Sequence, residues 1–444
     1  MNPTHKKPSS GITVIIVGAG FAGLTAAIEC DRKGHSVILF DKVPEIKALG
    51  DIISFSTNST KFFERWPGVA EKLEKIAHQS DHLDLNDWNG NFITSQSWEK
   101  EAVWGTRING HRGQIIQIVY QHALEQGIDI KLGQDVTDYF ETETEAGIVA
   151  NGKRYTADVV FAAEGVRSRG RKIVLGFEDK PNPSGYAVYR AWYSADELAK
   201  NERTKYLVEN GDIHIGWVGP DVHFLAATLK GGKEANWVCT HKDNEDIEES
   251  WQFPARVEDA LKVVEGWDPV VQDLIKLTPS DRLFDYKLVY RDPLPTFISP
   301  KARIALIGDA AHPFLPTSIQ GASQAMEDGV TLAICLEKSG KRKVQEAVRA
   351  YEKIRYDRVH KAQETGVSTR DRWHKADWDY IRKNPESLHL RREEWLLNFD
   401  AEAHAYSVYD DIVASFAHSP SRSSYSPKHL PTTEQLTKEV DLMA

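Results

Sequence analysis

The chain of 444 residues carries 55 Lys and Arg against 65 Asp and Glu, a net charge of −10. That balance gives no support to nucleic-acid or anionic-membrane binding, and no apolar run approaches the ~20 residues of a membrane span. Hydrophobic content of 41%, charged content of 27% and three scattered cysteines (Cys30, Cys239, Cys335) describe a globular chain of more than one layer, without a disulfide framework or zinc site.

Met1 to Ser10 is polar and lacks an apolar signal core, so it reads as a short disordered arm, and the predicted setting is a reducing, cytoplasmic compartment. Ile12–Val17 is a buried strand, Phe21–Arg32 a helix ending at Gly34, and Ser36–Phe40 a second strand followed by Asp41, which together make a βαβ unit. A helix is predicted over Arg112–Glu125, then strands at Ile128–Leu132 and Asp158–Ala163. Short strands at Tyr186–Tyr193, Ile213–Val218, His223–Leu229 and Ala235–Thr240 follow at hairpin-like intervals and suggest a separate sheet. Val257–Val264 and Pro269–Leu277 read as helices; Ala302–Ile307 is a strand returning to the first domain. Helical patterns then run from about Ser318 to Ser339 and from Lys343 to Gln363, and from His418 onward Ser and Pro dominate and order is doubtful.

Two stretches carry the chemistry. Gly18-Ala19-Gly20-Phe21-Ala22-Gly23 follows the first strand and opens the first helix. Gly18 permits the tight turn, Gly20 lets backbone approach a pyrophosphate, and Gly23 lets the helix pack on the strand, while the helix N-terminus presents free N–H groups. Asp41, 18 residues after Gly23, sits where a carboxylate binds ribose hydroxyls and disfavours a 2′-phosphate at this site. The second stretch, 290 residues on, is Gly308-Asp309-Ala310-Ala311-His312-Pro313, continuing through Pro316, Gln320-Gly321 and Glu327-Asp328. Together they suggest one long cofactor, FAD, held at both ends. The helix expected near Ser318 directs its positive end at that cofactor and stabilises negative charge there.

These motifs resemble those of the group A flavoprotein aromatic hydroxylases, the fold class of p-hydroxybenzoate hydroxylase, and most of all the salicylate hydroxylase-like monooxygenases with their fungal secondary-metabolism members. The resemblance covers Ile12 to about Gln363, some four-fifths of the chain. It implies an α/β fold: a Rossmann-like FAD-binding domain with an interleaved substrate domain on a mostly antiparallel sheet, and a helical C-terminal region. The expected division is an arm over 1–11, FAD-binding segments at 12–180 and 296–365, the sheet domain at 181–295, and a helical region with a flexible end at 366–444. It also implies the cofactor-binding set: Gly18, Gly20, Phe21, Ala22, Gly23, Asp41, Lys42, Arg112, Val136, Glu164, Gly308, Asp309, Gln320, Gly321 and Ala322. Asp309 is expected to accept from ribityl hydroxyls, and Arg112, after His111, to reach the ribityl–pyrophosphate region. Two departures stand out. Ala162-Ala163-Glu164-Gly165, with Ser168 and Arg171, has Glu where the family has Asp; Ile319 stands where the family often has glycine, and a β-branched residue there disfavours a positive-φ turn.

No metal motif or nucleophile elbow is present, so the resemblance assigns the chemistry to the flavin, with NADPH or NADH as donor and O2 as oxidant, through a C4a-hydroperoxide. It places Pro316 beside the reacting ring. Arg190 matches a pocket-facing arginine able to hold a phenolate or carboxylate, or it is a structural ion pair. Tyr189 and Arg190 must point to opposite strand faces. Ala227-Thr228 replaces a Tyr-Pro pair, so a tyrosine anchor is missing; His214 or His223 is the candidate base or donor, each also readable as structural. His312 is expected to fix its loop by backbone hydrogen bonding. Tyr351-Glu352, Arg355 and Arg358 are expected to be structural, and Trp373, Trp378, Trp395 and Tyr409 to serve packing or a dimer surface. The expected activity is hydroxylation of a small phenolic or aryl acid, with decarboxylation for a salicylate- or orsellinate-like acid. The alternatives are epoxidation or hydroxylation of an indole or terpenoid intermediate, and FAD binding without turnover. The expected partner is a small aromatic substrate, and the expected state a monomer or homodimer.

Overall fold

The computed structural model describes residues 8–48, 50–179, 182–243 and 253–417. Residues 1–7 of the expected arm, and the Ser- and Pro-rich end from His418, lie outside the described residues.

Four strands from the first half of the chain and one from the second build a five-stranded parallel sheet. The strand Thr13–Val17 pairs on one side with Ser36–Phe40 and on the other with Val159–Ala162, and the outer positions are Asp129–Lys131 and Ile304–Leu306. Ile304 registers with Val160, so the chain does return here after the second domain. A parallel sheet covered on both faces needs apolar strands, and Val14, Ile15, Ile16, Val17, Val160 and Phe161 are all buried. The helix Phe21–Arg32 covers one face and packs closely on the helix Gly321–Ser339, where a Cβ on Gly329 would come within 2.7 Å of the Ala26 nitrogen. Side chains from both helices and the sheet form one core.

The second sheet has eight strands, mostly antiparallel. Its order is Phe253–Pro254, Leu283–Tyr290, Asn182–Ser194, Glu234–Lys242, Val222–Leu229, His214–Gly219, His82–Asp87 and Phe92–Ser97. The last two strands come from within the stretch 12–180, so the sheet draws on both sides of the expected boundary; Ile215 pairs in parallel with Asp84. The outer face, with Tyr189, Ala191, Tyr193, Trp217, Phe224 and Trp237, is covered by the helices Val257–Val263 and Pro269–Lys276. The alternation of a strand puts Val188, Arg190, Leu225 and Tyr286 on the other, inner face. The predicted choice between neighbours is thus settled: Tyr189 goes outward and stacks on His241 at 4.3 Å, and Arg190 goes inward.

Part of the inner face is roofed by the C-terminal region. The long helix runs Val344–His374, beyond its expected end at Gln363. Gly366 and the polar residues after it break the apolar period, but packing holds them helical: the Thr317 hydroxyl donates to the Gly366 carbonyl at 2.7 Å, and Trp373 is buried with Leu83, Leu85, Trp98 and Val218. Trp373 and Tyr409 are buried packing residues, whereas Trp378 and Trp395 are half-buried; Trp373 donates to the Leu388 carbonyl at 2.9 Å and Trp378 meets Trp88 edge-on. Trp395 lies 4.1 Å from the Lys361 ammonium, and Tyr409 is buried.

Candidate active site

The turn after the first strand is built by its glycines. Gly18 has φ +109, and a Cβ there would lie 2.2 Å from the Ala163 carbonyl oxygen. A Cβ on Gly23 would lie 1.9 Å from the Gly18 oxygen, so the helix is pressed onto the turn. Gly20 is different. Its backbone is ordinary (φ −79, ψ −175), and a Cβ built on it meets no atom within 4 Å. Neither conformation nor packing calls for glycine at 20; the open space before it does, and that space adjoins a helix N-terminus with no side-chain cap and no acidic residue in its first turn. A pyrophosphate fits there. Asp41 accepts from the Ala19 N–H at 2.6 Å and the Val43 N–H at 2.9 Å, at the end of its strand, and Lys42 beside it is exposed. Val136 is buried, and its carbonyl accepts from Arg169. Glu164 accepts from the Ser168 hydroxyl at 2.6 Å and the Gly170 N–H at 3.2 Å, so the extra methylene still lets its carboxylate cap its own turn.

The distal stretch faces the same space. Gly308 has φ +61 and sits against Ala22 and Ala325, where a Cβ would come within 2.8 Å and 3.1 Å of their Cβ atoms. Arg171 ties this turn to the middle motif, donating to the Ala310 carbonyl at 2.7 Å and the Asp309 carbonyl at 3.3 Å. The Asp309 carboxylate accepts no hydrogen bond among the described residues. Burial pushes its pKa above the ordinary value, while His312, Arg112 and Arg171 pull it down. A half-buried acceptor of this kind suits a neutral hydroxyl. Gly321 and Ala322 begin the helix Gly321–Ser339, again without a side-chain cap or first-turn acid. Two open helix N-termini, the Gly20 cradle and Asp309 together match the pyrophosphate, ring and ribityl parts of FAD.

Four expectations need correction. First, the distal helix starts at Gly321, after a tight turn at Pro316–Ser318, and Ile319 does adopt the left-handed conformation (φ +55, ψ 24) that its β-branch disfavours. The cost is about 1–2 kcal/mol, and it is met by the bonds around the turn: the Ile319 N–H donates to the Pro316 carbonyl at 3.0 Å, and Pro316 itself is exposed. Second, the Gln320 side chain is buried in a polar network with Asn58, Ser56 and Gln324, so its amide is already engaged by protein. Third, the His312 side chain fixes its loop by meeting a carboxylate rather than backbone: its Nε2 lies 2.5 Å from Asp328, which also accepts from the Gly308 N–H at 2.8 Å, while the His312 N–H itself donates to the Gly308 carbonyl at 2.9 Å. Arg355 and Arg358 complete this buried cluster with Glu327 and Asp328. Burial alone would raise both carboxyls; Arg358 and Arg355 hold Glu327, and His312 and Arg355 hold Asp328, below the ordinary range.

Fourth, the histidines do not join Arg190. Strand register puts Leu225 level with Arg190 two strands across, and Gly216 three strands across. At the usual strand spacing and rise, His223 lies about 12 Å from Arg190 and His214 about 16 Å. His223 instead shares a hydrogen bond with His374 (Nδ1 to Nε2, 2.7 Å), and burial, then His374, pushes its pKa well down. His214 lies near His78 and Trp98 and is likewise pushed well down by burial and by His78.

The structure does gather Arg190, Arg112 and Asp309 with two residues the sequence reading missed. Asp51 lies 3.5 Å from the Arg190 guanidinium, whose centre is 5.9 Å from the Tyr286 ring. Burial lowers the Arg112 pKa, opposed by Asp51 and Asp309 and reinforced by Arg190. Asp51 sits directly after Gly50 at the mouth of the strand Ile52–Phe55, and that Gly-Asp step was the only available signal. His111 caps the helix Arg112–Glu125, its Nδ1 accepting from the Gly113 N–H at 3.1 Å. Charge from the cofactor side thus meets an arginine on the inner face of the substrate sheet.

Residues 11–365 match the family model described as "FAD binding domain". Asperlicin C monooxygenase of Petromyces alliaceus is 36% identical, with 96% of this chain and 93% of that protein covered. The FAD-dependent monooxygenase nanF of Aspergillus nanangensis is 34% identical over 95% of this chain and 94% of its own. Among solved structures, CtdE in complex with FAD and substrate 4 superposes with a TM-score of 0.86 at 35% identity, covering 91% of this chain and all of that one. A salicylate hydroxylase substrate complex shares the fold, with TM-score 0.75, 23% identity, and 89% and 97% coverage. The fold and site define an FAD-dependent monooxygenase, using NAD(P)H and O2, of the kind found in fungal secondary metabolism. The chain belongs to the FAD-binding family whose model it matches over 11–365. Among the described residues no helix is long and apolar enough to cross a membrane.

Proposed function

We propose that this monooxygenase hydroxylates a small phenolic ring whose oxygen is held by Arg190. The balance is ArH, O2, NAD(P)H and a proton going to ArOH, water and NAD(P)+; one oxygen atom enters the ring and the other leaves as water. FAD, when bound, supplies the electron transfer and oxygen activation. The observation that carries the reading is the buried Arg190 on the inner face, braced by Asp51 and close to Arg112 and Asp309, the residues that would meet the cofactor. A fixed cation favours the phenolate, the more electron-rich form of the ring. Arg190 can hold either a phenolate or a carboxylate, so plain hydroxylation and the decarboxylating reaction of a salicylate- or orsellinate-like acid are both compatible with this site. Val188, Leu225, Val238, Tyr286 and Leu288 supply an apolar inner face that excludes water from the reacting ring.

A second reading is epoxidation or hydroxylation of an indole or terpenoid intermediate. Two observations support it. Ala227 and Thr228 offer no phenol anchor, since the Thr228 hydroxyl is engaged by the Leu207 carbonyl at 3.0 Å. The relative from Petromyces alliaceus is named for asperlicin C rather than for a phenol or an aryl acid. Holoenzyme supplied with isotopically labelled dioxygen and panels of phenols, aryl acids and indoles separates the readings. A phenol that accelerates NAD(P)H oxidation and gains one labelled oxygen supports the first. If only indoles or terpenoids gain the label, the second replaces it; if no ring does and peroxide carries all of it, both fail.

A further inference from the structure

A cavity of about 350 Å³ opens between the helix Val69–Glu74 and the strand Ile108–His111, lined among others by His78, Gln79, Thr106 and Arg107. Its size lies within the range of small-molecule pockets. The mechanism above uses none of its residues.

Its charges are unbalanced. The Arg107 guanidinium lies 3.9 Å from the Trp98 ring centre and takes part in no ion pair among the described residues. Its side-chain partner is the neutral amide oxygen of Asn109. The nearest carboxylate, Glu101, is already taken by Arg392. Burial, then Arg392, brings the Arg107 pKa down to about 9, the sign of a cation short of counter-charge. His78 is 8% exposed; its Nε2 donates to the Ile213 carbonyl at 2.9 Å, and its buried Nδ1 has no partner. The adjoining His214 also has a buried, unpartnered Nδ1. Burial holds both rings below their ordinary values. The acids nearby do not compensate: Asp212 is bonded to the Gln79 and Gly231 N–H groups, and Glu74 is exposed at the rim.

We propose that this cavity binds a carboxylate or phosphate group of a small molecule, with Arg107 as its direct partner. In a chain of net charge −10, a guanidinium without a carboxylate partner is a local surplus of positive potential, and the two neutral imidazoles beside it can take up a proton when an anion arrives. An oxyanion relieves it, and the stacked, planar Arg107 offers paired donors. Trp98, on which Arg107 stacks, also lies 5.7 Å from Arg392, which donates to the Ser56 hydroxyl at 3.3 Å and lines a separate narrow slot with Ser318, Ile319 and Gln320. Two sources share this chemistry: an acidic group on the substrate remote from the oxidised ring, and a phosphate of NAD(P)H. Which of them uses the site rests on the monooxygenase reading; the binding itself does not.

The test is titration calorimetry of the FAD-loaded enzyme with benzoate and with inorganic pyrophosphate, on wild type, Arg107→Gln, Arg107→Lys and His78→Gln. At least one probe should bind wild type with net proton uptake, read from buffers of different ionisation heat, as the imidazoles charge beside it. Arg107→Gln should weaken binding at least about tenfold, Arg107→Lys less, and His78→Gln should reduce the proton uptake. Steady-state kinetics assign the source: a raised KM for the aromatic substrate in Arg107→Gln points to its acid, a raised KM for NAD(P)H to the donor phosphate. Absence of probe binding to wild type overturns the proposal whatever the variants do, as does equal binding by a folded, FAD-retaining Arg107→Gln. Probe binding that survives in an enzyme unable to oxygenate any ring would instead count against the proposed function alone.

Discussion

Gly20→Ala separates the needs of the fold from those of the cofactor. The backbone at 20 is in a region open to alanine, and the added methyl touches nothing in the protein. Replacing glycine at a compatible conformation stabilises a chain by about 0.4–1 kcal/mol through the unfolded state. Position 20 is also a helix N-cap, where alanine is poorer than glycine by a similar amount. The two effects offset, so the apoprotein should change by less than about 1 kcal/mol. The cofactor should respond differently, because the methyl stands where the pyrophosphate approaches the helix N-terminus. Losing one charge-assisted hydrogen bond there costs about 1.5–3 kcal/mol, or roughly 10- to 150-fold in affinity. Flavin-fluorescence titration of apoprotein gives the affinity, and melting curves with and without FAD show how much cofactor stabilisation is lost. An FAD affinity within twofold of wild type would refute the idea that the cofactor contacts this backbone. A large drop in apoprotein stability would show that glycine 20 serves packing after all.

Asp309→Ala should weaken FAD about tenfold or more with little change in the melting of the apoprotein, checked by the same titration. Arg190→Ala should raise substrate KM roughly 10- to 150-fold while FAD content stays normal; an unchanged KM rejects its substrate role. Arg355→Leu leaves Glu327 and Asp328 short of a buried cation and should cost about 3–5 kcal/mol in urea unfolding. Acidification should destabilise the fold through His374. Burial, then Arg370, holds this ring at about 4, against about 6.5 in an unfolded chain, with Asp221 and Asp371 pulling the other way. The unfolded state therefore binds the proton first, so stability is whole above pH 6.5 and falls as pH drops toward 4. Between pH 7.5 and 5 this ring accounts for about 2 kcal/mol, and His374→Gln should flatten the measured pH dependence by that amount.

The cofactor half was legible because its rules are local. Three glycines at fixed spacing, an apolar strand and an uncapped helix each follow from neighbours in the chain, and Gly18 and Gly23 stand where backbone leaves no room for a side chain. Tyr189 against Arg190 was also legible as an alternative, since strand alternation allows only one to face inward. The site beyond it was not. Whether His223 or His214 stands near Arg190 depends on register across two or three strands, which no local pattern reports. Asp51 meets Arg190 only when a loop of the first domain crosses to the second sheet. The strands His82–Asp87 and Phe92–Ser97 are short and partly polar; they pair with each other, but His82–Asp87 joins the sheet through His214–Gly219, far along the chain. Ile319 shows the converse: a local preference read correctly was overruled by the turn around it.

The helix Val344–His374 is a ruler about 45 Å long. Arg355 and Arg358 grip the cofactor-side acids near its middle, while Trp373 and His374 touch the substrate sheet at its end. Because each residue advances the helix by a fixed 100°, the phase between those two grips is set by residue count alone. Point changes at the sheet end alter the pocket without disturbing the cofactor grip, whereas inserting or deleting a single residue between 358 and 373 would turn one grip away from its partner. Diversity in what this enzyme oxidises is therefore open to substitution and closed to length change along this stretch.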